Sequence, residues 1–299
     1  MKRVLCTVLV VALGATVFVN CKKDGVYNPK KKISKIYVAH LGVKKLDYGW
    51  TWEDNLLKKV ERFGMDTVVT SKAYYFYDKK QLVRIEYTND DLRYVEITYN
   101  GSSYDRVDFY TKKGAKTSSY VFSYDKKKVS KIEHTKYATP IPASKSMENE
   151  LLSVFIPKII LEEMDRQIEQ NPLLKSADNK DVVYVHTMKY KGDNLDEWEI
   201  LSSSNSRTSI FKYESYDDKI NPMYGSNPIM ADGEASSVFH KNNPTKITYE
   251  SMDSNKVSLA TSAITYSYLY DKKYPTEIIK TSTPSVGNPF SDTTYYEYK

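Results

Sequence analysis

Cysteine is nearly absent from this 299-residue chain: Cys6 and Cys21 are its two copies. Once the segment holding Cys6 is removed, as argued below, neither a disulfide framework nor a multi-cysteine metal site can be built. Histidine is scarce as well. His40, His134, His186 and His240 stand far apart, and none has a partner at the three-to-five-residue spacing of a metal site, so they read as isolated strand or turn histidines. No phosphate-binding loop, zinc-protease helix or nucleophile elbow occurs. The sequence therefore assigns no catalytic residue, no metal ligand and no cofactor. Asp90-Asp91 and Asp217-Asp218 offer too few oxygens for calcium and read as turns. Glycine and proline, at 11 each, are too few for a low-complexity chain. Charge of one sign is lacking too: the net +6 is dispersed among interleaved lysines and acids, which gives nucleic acid little to hold.

The longest apolar run, Val4–Val19, falls short of the roughly 20 residues of a membrane helix. Its surroundings give it a meaning. Met1-Lys2-Arg3 is a basic start, Cys21 closes the run after Asn20, and Lys22-Lys23-Asp24 turns the chain polar. This is the layout of a bacterial lipoprotein signal, although Asn20 and Phe18 depart from the usual small residue and leucine. Cleavage with lipidation of Cys21 leads over ordinary secretory cleavage and over an uncleaved anchor. The expected address is the outer membrane, lipid-anchored. The periplasmic face is favoured over the cell surface because Asp24 is the lone acid close behind the cysteine. The organisation expected is a signal at 1–20, a short tether at 21–27 and a single β domain at 28–299.

Against these absences stand 27 tyrosines. Tyrosine suits strands and half-wet faces, with a large ring and a polar tip. The tyrosines fall in a repeat: an aromatic residue, four turn residues, an apolar residue, any residue, a basic residue, then Ile or Val. Trp52 starts a copy with Leu57, Lys59 and Val60; Tyr77 one with Leu82, Arg84 and Ile85; Tyr99 one with Tyr104, Arg106 and Val107; Tyr124 one with Val129, Lys131 and Ile132. Asn28 starts a degenerate copy with Ile33, Lys35 and Ile36. Looser copies follow from Tyr190 with Leu195 and Trp198, from Phe239 with Pro244, Lys246 and Ile247, and from Tyr270 with Pro275, Glu277 and Ile278. A period of about 24 residues fits two strands and two tight connections. The expected fold is all-β: a large antiparallel meander curled into a barrel or half-barrel. Each aromatic should face its apolar partner across a hairpin. Which face is core depends on where bulges fall. Charged residues at both strand parities argue against a membrane-spanning barrel, whose outer band is apolar.

The aromatic-Asp turn followed by an apolar-x-basic-Ile strand resembles the YD repeat of Rhs-type proteins, with the usual turn glycine mostly absent. Cys21-Lys22-Lys23-Asp24, the serial Tyr-Asp hairpins, Asp218-Lys219-Ile220-Asn221-Pro222-Met223-Tyr224, Asn242-Asn243-Pro244, Tyr270-Asp271 and Tyr274-Pro275 together resemble a group of Bacteroidota lipoproteins of unknown function. That resemblance implies a porin-like, barrel-type fold and carries no catalytic residues.

Between the two halves of the domain, 28–143 and 173–299, the segment 144–172 departs from the strand pattern. Ser144 or Ser146 can cap a helix, Leu152, Phe155, Ile159 and Met164 fall near helical spacing, and Pro157 should kink it. The expectation is a helical crossover packed on the sheet, with a plug or lid as the alternative. Trp50 and Trp52 share a strand face and are the candidate ligand-binding residues, as a carbohydrate platform. Framework packing leads over that reading, because Trp52 occupies the repeat position of Tyr77, Tyr99 and Tyr124, and Trp50 that of Tyr75, Ile97 and Phe122. The functional expectation is a non-enzymatic envelope lipoprotein that meets the membrane through its anchor and binds a glycan, an apolar ligand or an envelope partner. A purely structural envelope protein and a hydrolase with fold-assembled carboxylates remain the alternatives.

Overall fold

The computed structural model describes residues 27–40, 42–64, 66–88, 94–137, 181–203, 207–226 and 238–299. The expected signal, Cys21 and the helical crossover at 144–172 lie outside the described residues. Sixteen strands form one closed antiparallel barrel. They are β1 Ile33–His40, β2 Val43–Glu53, β3 Leu56–Phe63, β4 Val69–Asp78, β5 Gln81–Tyr87, β6 Tyr94–Asn100, β7 Ser103–Tyr110, β8 Lys116–Asp125, β9 Lys128–Lys136, β10 Val182–Lys191, β11 Asn194–Ser202, β12 Thr208–Tyr216, β13 Pro244–Met252, β14 Ser258–Asp271, β15 Tyr274–Pro284 and β16 Phe290–Tyr298. Every strand pairs with its sequence neighbours, and β1 pairs with β16 to close the ring. The half-barrel alternative is thereby removed, and among the described residues no sheet edge is left to template aggregation.

The repeat is a bulged hairpin. Trp52, Tyr77, Tyr99, Tyr124, Tyr190 and Tyr270 pair with Leu57, Leu82, Tyr104, Val129, Leu195 and Pro275. In each hairpin the register then skips one residue, Lys58, Val83, Asp105, Ser130, Asp196 and Thr276 respectively. The unconstrained position of the repeat is therefore the bulge. The extra residue lets the apolar position and the Ile or Val three later both face inward, with the basic residue between them outward. Leu82 and Ile85 are accordingly buried while Arg84 reaches Glu86 and Glu96 on the outer face.

Two copies differ from expectation. Phe239 does not face Pro244 in the ladder; Tyr216 does. Asn28 is not the aromatic of the first copy either. Ile33 pairs with Tyr298 of β16, with a register skip at Ser34. The eighth hairpin is thus split between the two ends of the chain, and its assembly closes the barrel.

The turns explain why glycine is sparse. Asp54-Asn55, Lys79-Lys80 and Lys126-Lys127 all sit at positive φ, as the two-residue turns of twisted hairpins require. For residues with a Cβ this conformation costs about 1–2 kcal/mol each.

Polarity is arranged inside-out relative to a membrane-spanning barrel. The inward face holds Trp50, Tyr75, Ile85, Val95, Phe109, Ile132, Trp198 and Phe211, all buried. The outward face carries ion pairs such as Lys59–Glu61–Lys72, Lys131–Glu133, Lys189–Glu197 and Lys246–Glu214. Exposed pairs of this kind contribute little stability, and they alternate with exposed apolar side chains such as Phe76, Leu201 and Leu269.

Candidate functional site

The sites open to function are set by how each end of the barrel is finished. At the hairpin-turn end the ladders between neighbouring hairpins stop at the basic residue of the repeat, for example at Lys59–Tyr74, Arg84–Glu96 and Arg106–Val121. The carbonyl of the apolar residue two positions earlier lies beyond the ladder and takes a side-chain donor instead. Tyr77 Oη donates to Leu57 O at 2.8 Å, Tyr99 to Leu82 O and Tyr124 to Tyr104 O each at 2.9 Å. Tyr216, Tyr268 and Tyr298 do the same to Leu195, Pro244 and Pro275 at 2.5, 2.6 and 2.7 Å. Trp52 Nε1 replaces the hydroxyl in its own copy, donating to Ile33 O at 2.7 Å. Burial of these rings pushes the Tyr77, Tyr99 and Tyr124 phenols up. Tyr104, half-buried beside Tyr99, is pushed up to about 12 by desolvation.

A cap lies across this end, and it is built from the residues that carry the lipoprotein resemblance. Asp217 accepts from the backbone N–H of Lys219 at 3.0 Å and of Asn243 at 3.1 Å, and the Tyr270 hydroxyl donates to its other oxygen. Asn221 Nδ2 donates to His240 O at 2.8 Å, and Asn242 Nδ2 to Lys219 O at 2.8 Å. Ile220 N–H bonds Lys273 O, Lys241 N–H bonds Asp193 O, and Tyr27 Oη donates to Pro222 O at 2.6 Å. These bonds tie the cap to the β14–β15 turn, to the β10–β11 turn and to Tyr27, where the chain enters the barrel. Met223, Val238, Phe239 and His240 are buried beneath it, and burial lowers His240 to about 4. Tyr27, the last residue of the expected tether, is buried as well.

Trp50 and Trp52 lie on the inner wall at this end, with relative exposures of 5% and 7%. Their ring centroids are 6.1 Å apart, and Tyr27 stands 5.8 Å from Trp52. The two indoles face the interior, beside the cap.

At mid-height a belt of rings crosses seven consecutive strands: Phe109, Tyr120, His134, His186, Trp198, Phe211 and Tyr249. Tyr120 stacks on His134 at 4.1 Å, and the two imidazoles are 6.3 Å apart. Read along the chain these histidines look isolated; β9 and β10, neighbours in the sheet, bring them together. The repeat phase was the available signal, since His134 follows Ile132 as Phe109 follows Val107. Burial holds His134 well below the ordinary histidine value and lowers His186 to about 3. Among the described residues no group of three His, Cys, Asp or Glu side chains gathers to hold a metal.

Beyond the belt, away from the turns, the inward face becomes polar. Arg62 pairs with Tyr48 on one side and Ser71 on the other, with its guanidinium 5.8 Å over the Tyr48 ring. Lys136 stands between Ser118 and Val182, and Tyr184 stacks at 5.3 Å on His134. These side chains are half-buried.

No protein-family model matches this chain, and no curated protein does. Its fold is shared with solved structures. A crystallised porin-like protein from Bacteroides uniformis ATCC 8492 superposes with a TM-score of 0.53 over 92% of this chain and 100% of that one, at 10% identity. A porin-like protein from Bacteroides vulgatus ATCC 8482 covers 90% of this chain and 99% of its own, at 11% identity and a TM-score of 0.45. At such identities the likeness is one of fold.

Proposed function

We propose that this chain is a non-enzymatic envelope lipoprotein, anchored through Cys21, whose barrel binds a glycan at the end away from the hairpin turns. The observation that carries the binding reading is the polarity gradient of the inner wall. An interior serving only as core would stay apolar to its rim, because half-buried charge is costly. Here Arg62, Lys136, Tyr48 and Tyr184 replace aliphatic side chains beyond the belt. Aromatic faces and forked donors suit the hydroxyls and carboxylates of a polysaccharide. Arg62→Ala is expected to weaken binding of an acidic envelope glycan at least tenfold in calorimetric titration, with an unchanged melting temperature. Unaltered binding removes the site. Failure of wild type to bind any envelope glycan leaves the purely structural reading, which the buried belt favours. The anchor is tested separately: palmitate should label wild type and not Cys21→Ala.

A further inference from the structure

Two-residue hairpin turns at positive φ favour Asn and Gly. This barrel uses lysine instead in three of them, Lys79-Lys80, Lys126-Lys127 and Lys272-Lys273. Lys79, Lys80, Lys126, Lys127 and Lys272 have φ of 45°, 75°, 49°, 68° and 59°. All six lysines are exposed. None of them forms an ion pair among the described residues, whereas several acids of the same rim are already engaged. Asp271 is held by Lys31, Asp193 by Lys128 and Lys241, Asp218 by Lys219, and Asp217 by the cap. Lysine is thus placed where the backbone favours other residues and where it makes no ion pair, although Lys272 and Lys273 stand near enough to Asp271 and Asp218 to help hold those carboxyls down. Asp54, Asp78 and Asp125 also sit at these turns, but the lysines outnumber them.

The chain enters the barrel at this same end. Tyr27 is fixed against Trp52 and Pro222, and the steps from Cys21 to Tyr27 reach at most about 20 Å when fully extended. We infer that the hairpin-turn end is a lysine-studded seat on an anionic lipid leaflet, which orients the barrel with its opposite end away from the bilayer. The inference rests on the Cys21 anchor proposed above. Acyl chains on a short tether fix distance from the membrane but not orientation. A rim of lysines within a Debye length of lipid phosphates, about 8 Å at physiological salt, fixes both.

The test uses unacylated chain 22–299, which retains every described residue, so its outcome does not depend on lipidation. Phosphatidylcholine vesicles with and without phosphatidylglycerol serve as probes. Wild type should sediment with the anionic vesicles alone and be released by high salt. Replacing Lys79-Lys80 and Lys126-Lys127 each by Asn-Gly keeps the turns in residues suited to them, so folding is preserved. That variant should lose roughly fivefold in partition per lysine, several hundredfold in all. Lys112→Asn with Lys113→Asn, at the other end of the barrel, should bind as wild type. The inference is overturned by equal binding of the turn variant, by equal binding to neutral vesicles, or by no binding to either. Absence of palmitate labelling would instead remove the anchor and leave the vesicle result standing.

Discussion

A tyrosine hydroxyl in this barrel does the work of a missing strand pair. Tyr99 Oη on Leu82 O satisfies a carbonyl that the β5–β6 ladder, ending at Arg84–Glu96, does not reach. Removing the donor leaves that carbonyl short of a partner, so Tyr99→Phe is expected to cost about 1–2 kcal/mol in urea unfolding. Tyr190 is the internal control. It holds the same repeat position, but its hydroxyl meets the Met188 sulfur at 3.8 Å rather than a carbonyl. Tyr190→Phe should therefore cost well under 1 kcal/mol; equal losses at the two sites would refute the assignment. The tyrosines were legible as framework in the sequence because an aromatic recurred at a fixed offset from an apolar partner. Their hydroxyl acceptors were not, since each lies in the preceding hairpin and depends on where a ladder ends.

At the scale of the element, the strands were readable and their faces were not. Alternation marked Val95 and Ile97 as sharing a face, and both are buried. The bulge hid in the one position without a composition, occupied by Lys58, Val83, Asp105, Ser130, Asp196 and Thr276, so the inward side could not be assigned to each hairpin. The aromatic belt was equally hidden, since it is a property of seven strands side by side. It has a consequence for pH. Well above pH 6.5 His134 and His186 are neutral whether the chain is folded or unfolded, and neither contributes a pH dependence. Below 6.5 the unfolded chain takes up protons that the buried imidazoles refuse, and the folded state loses ground. Each histidine contributes a slope of roughly 1.4 kcal/mol per pH unit. For His186 this continues down to about 3. The melting temperature should be flat from pH 8 to 7 and fall progressively below 6.5. His186→Phe, which keeps a ring in the belt, should make that fall shallower; an unchanged profile would place the acid sensitivity elsewhere.

At the scale of the molecule, the barrel is a ring of eight bulged hairpins in which one connection has been left out. Tyr298 faces Ile33 as Trp52 faces Leu57. One residue further, Lys299 and Lys32 exchange backbone hydrogen bonds, Lys299 N–H to Lys32 O at 2.9 Å and Lys32 N–H to Lys299 O at 3.4 Å. That places them as Glu53 and Leu56 are placed, the pair that flanks the two-residue turn Asp54-Asn55. The sequence showed the second half of this hairpin at Ile33, Lys35 and Ile36. It could not show that the first half lies at the other end of the chain, because a linear repeat is searched for linearly. If the ring has no privileged opening, its opening can be moved. Joining Lys299 to Lys32 through Asn-Gly supplies the missing turn, and cutting between Gly101 and Ser102 opens an exposed turn whose strands stay paired on both sides. This permutant, lacking residues 1–31, loses the Tyr27 bond to Pro222 and should be modestly destabilised for that reason. It should still give a β-sheet circular-dichroism spectrum and a single cooperative unfolding transition. Failure of the permutant to fold, while the unpermuted chain folds, would show instead that closure through β1 and β16 is a distinct late event, and that the eighth hairpin is not equivalent to the other seven.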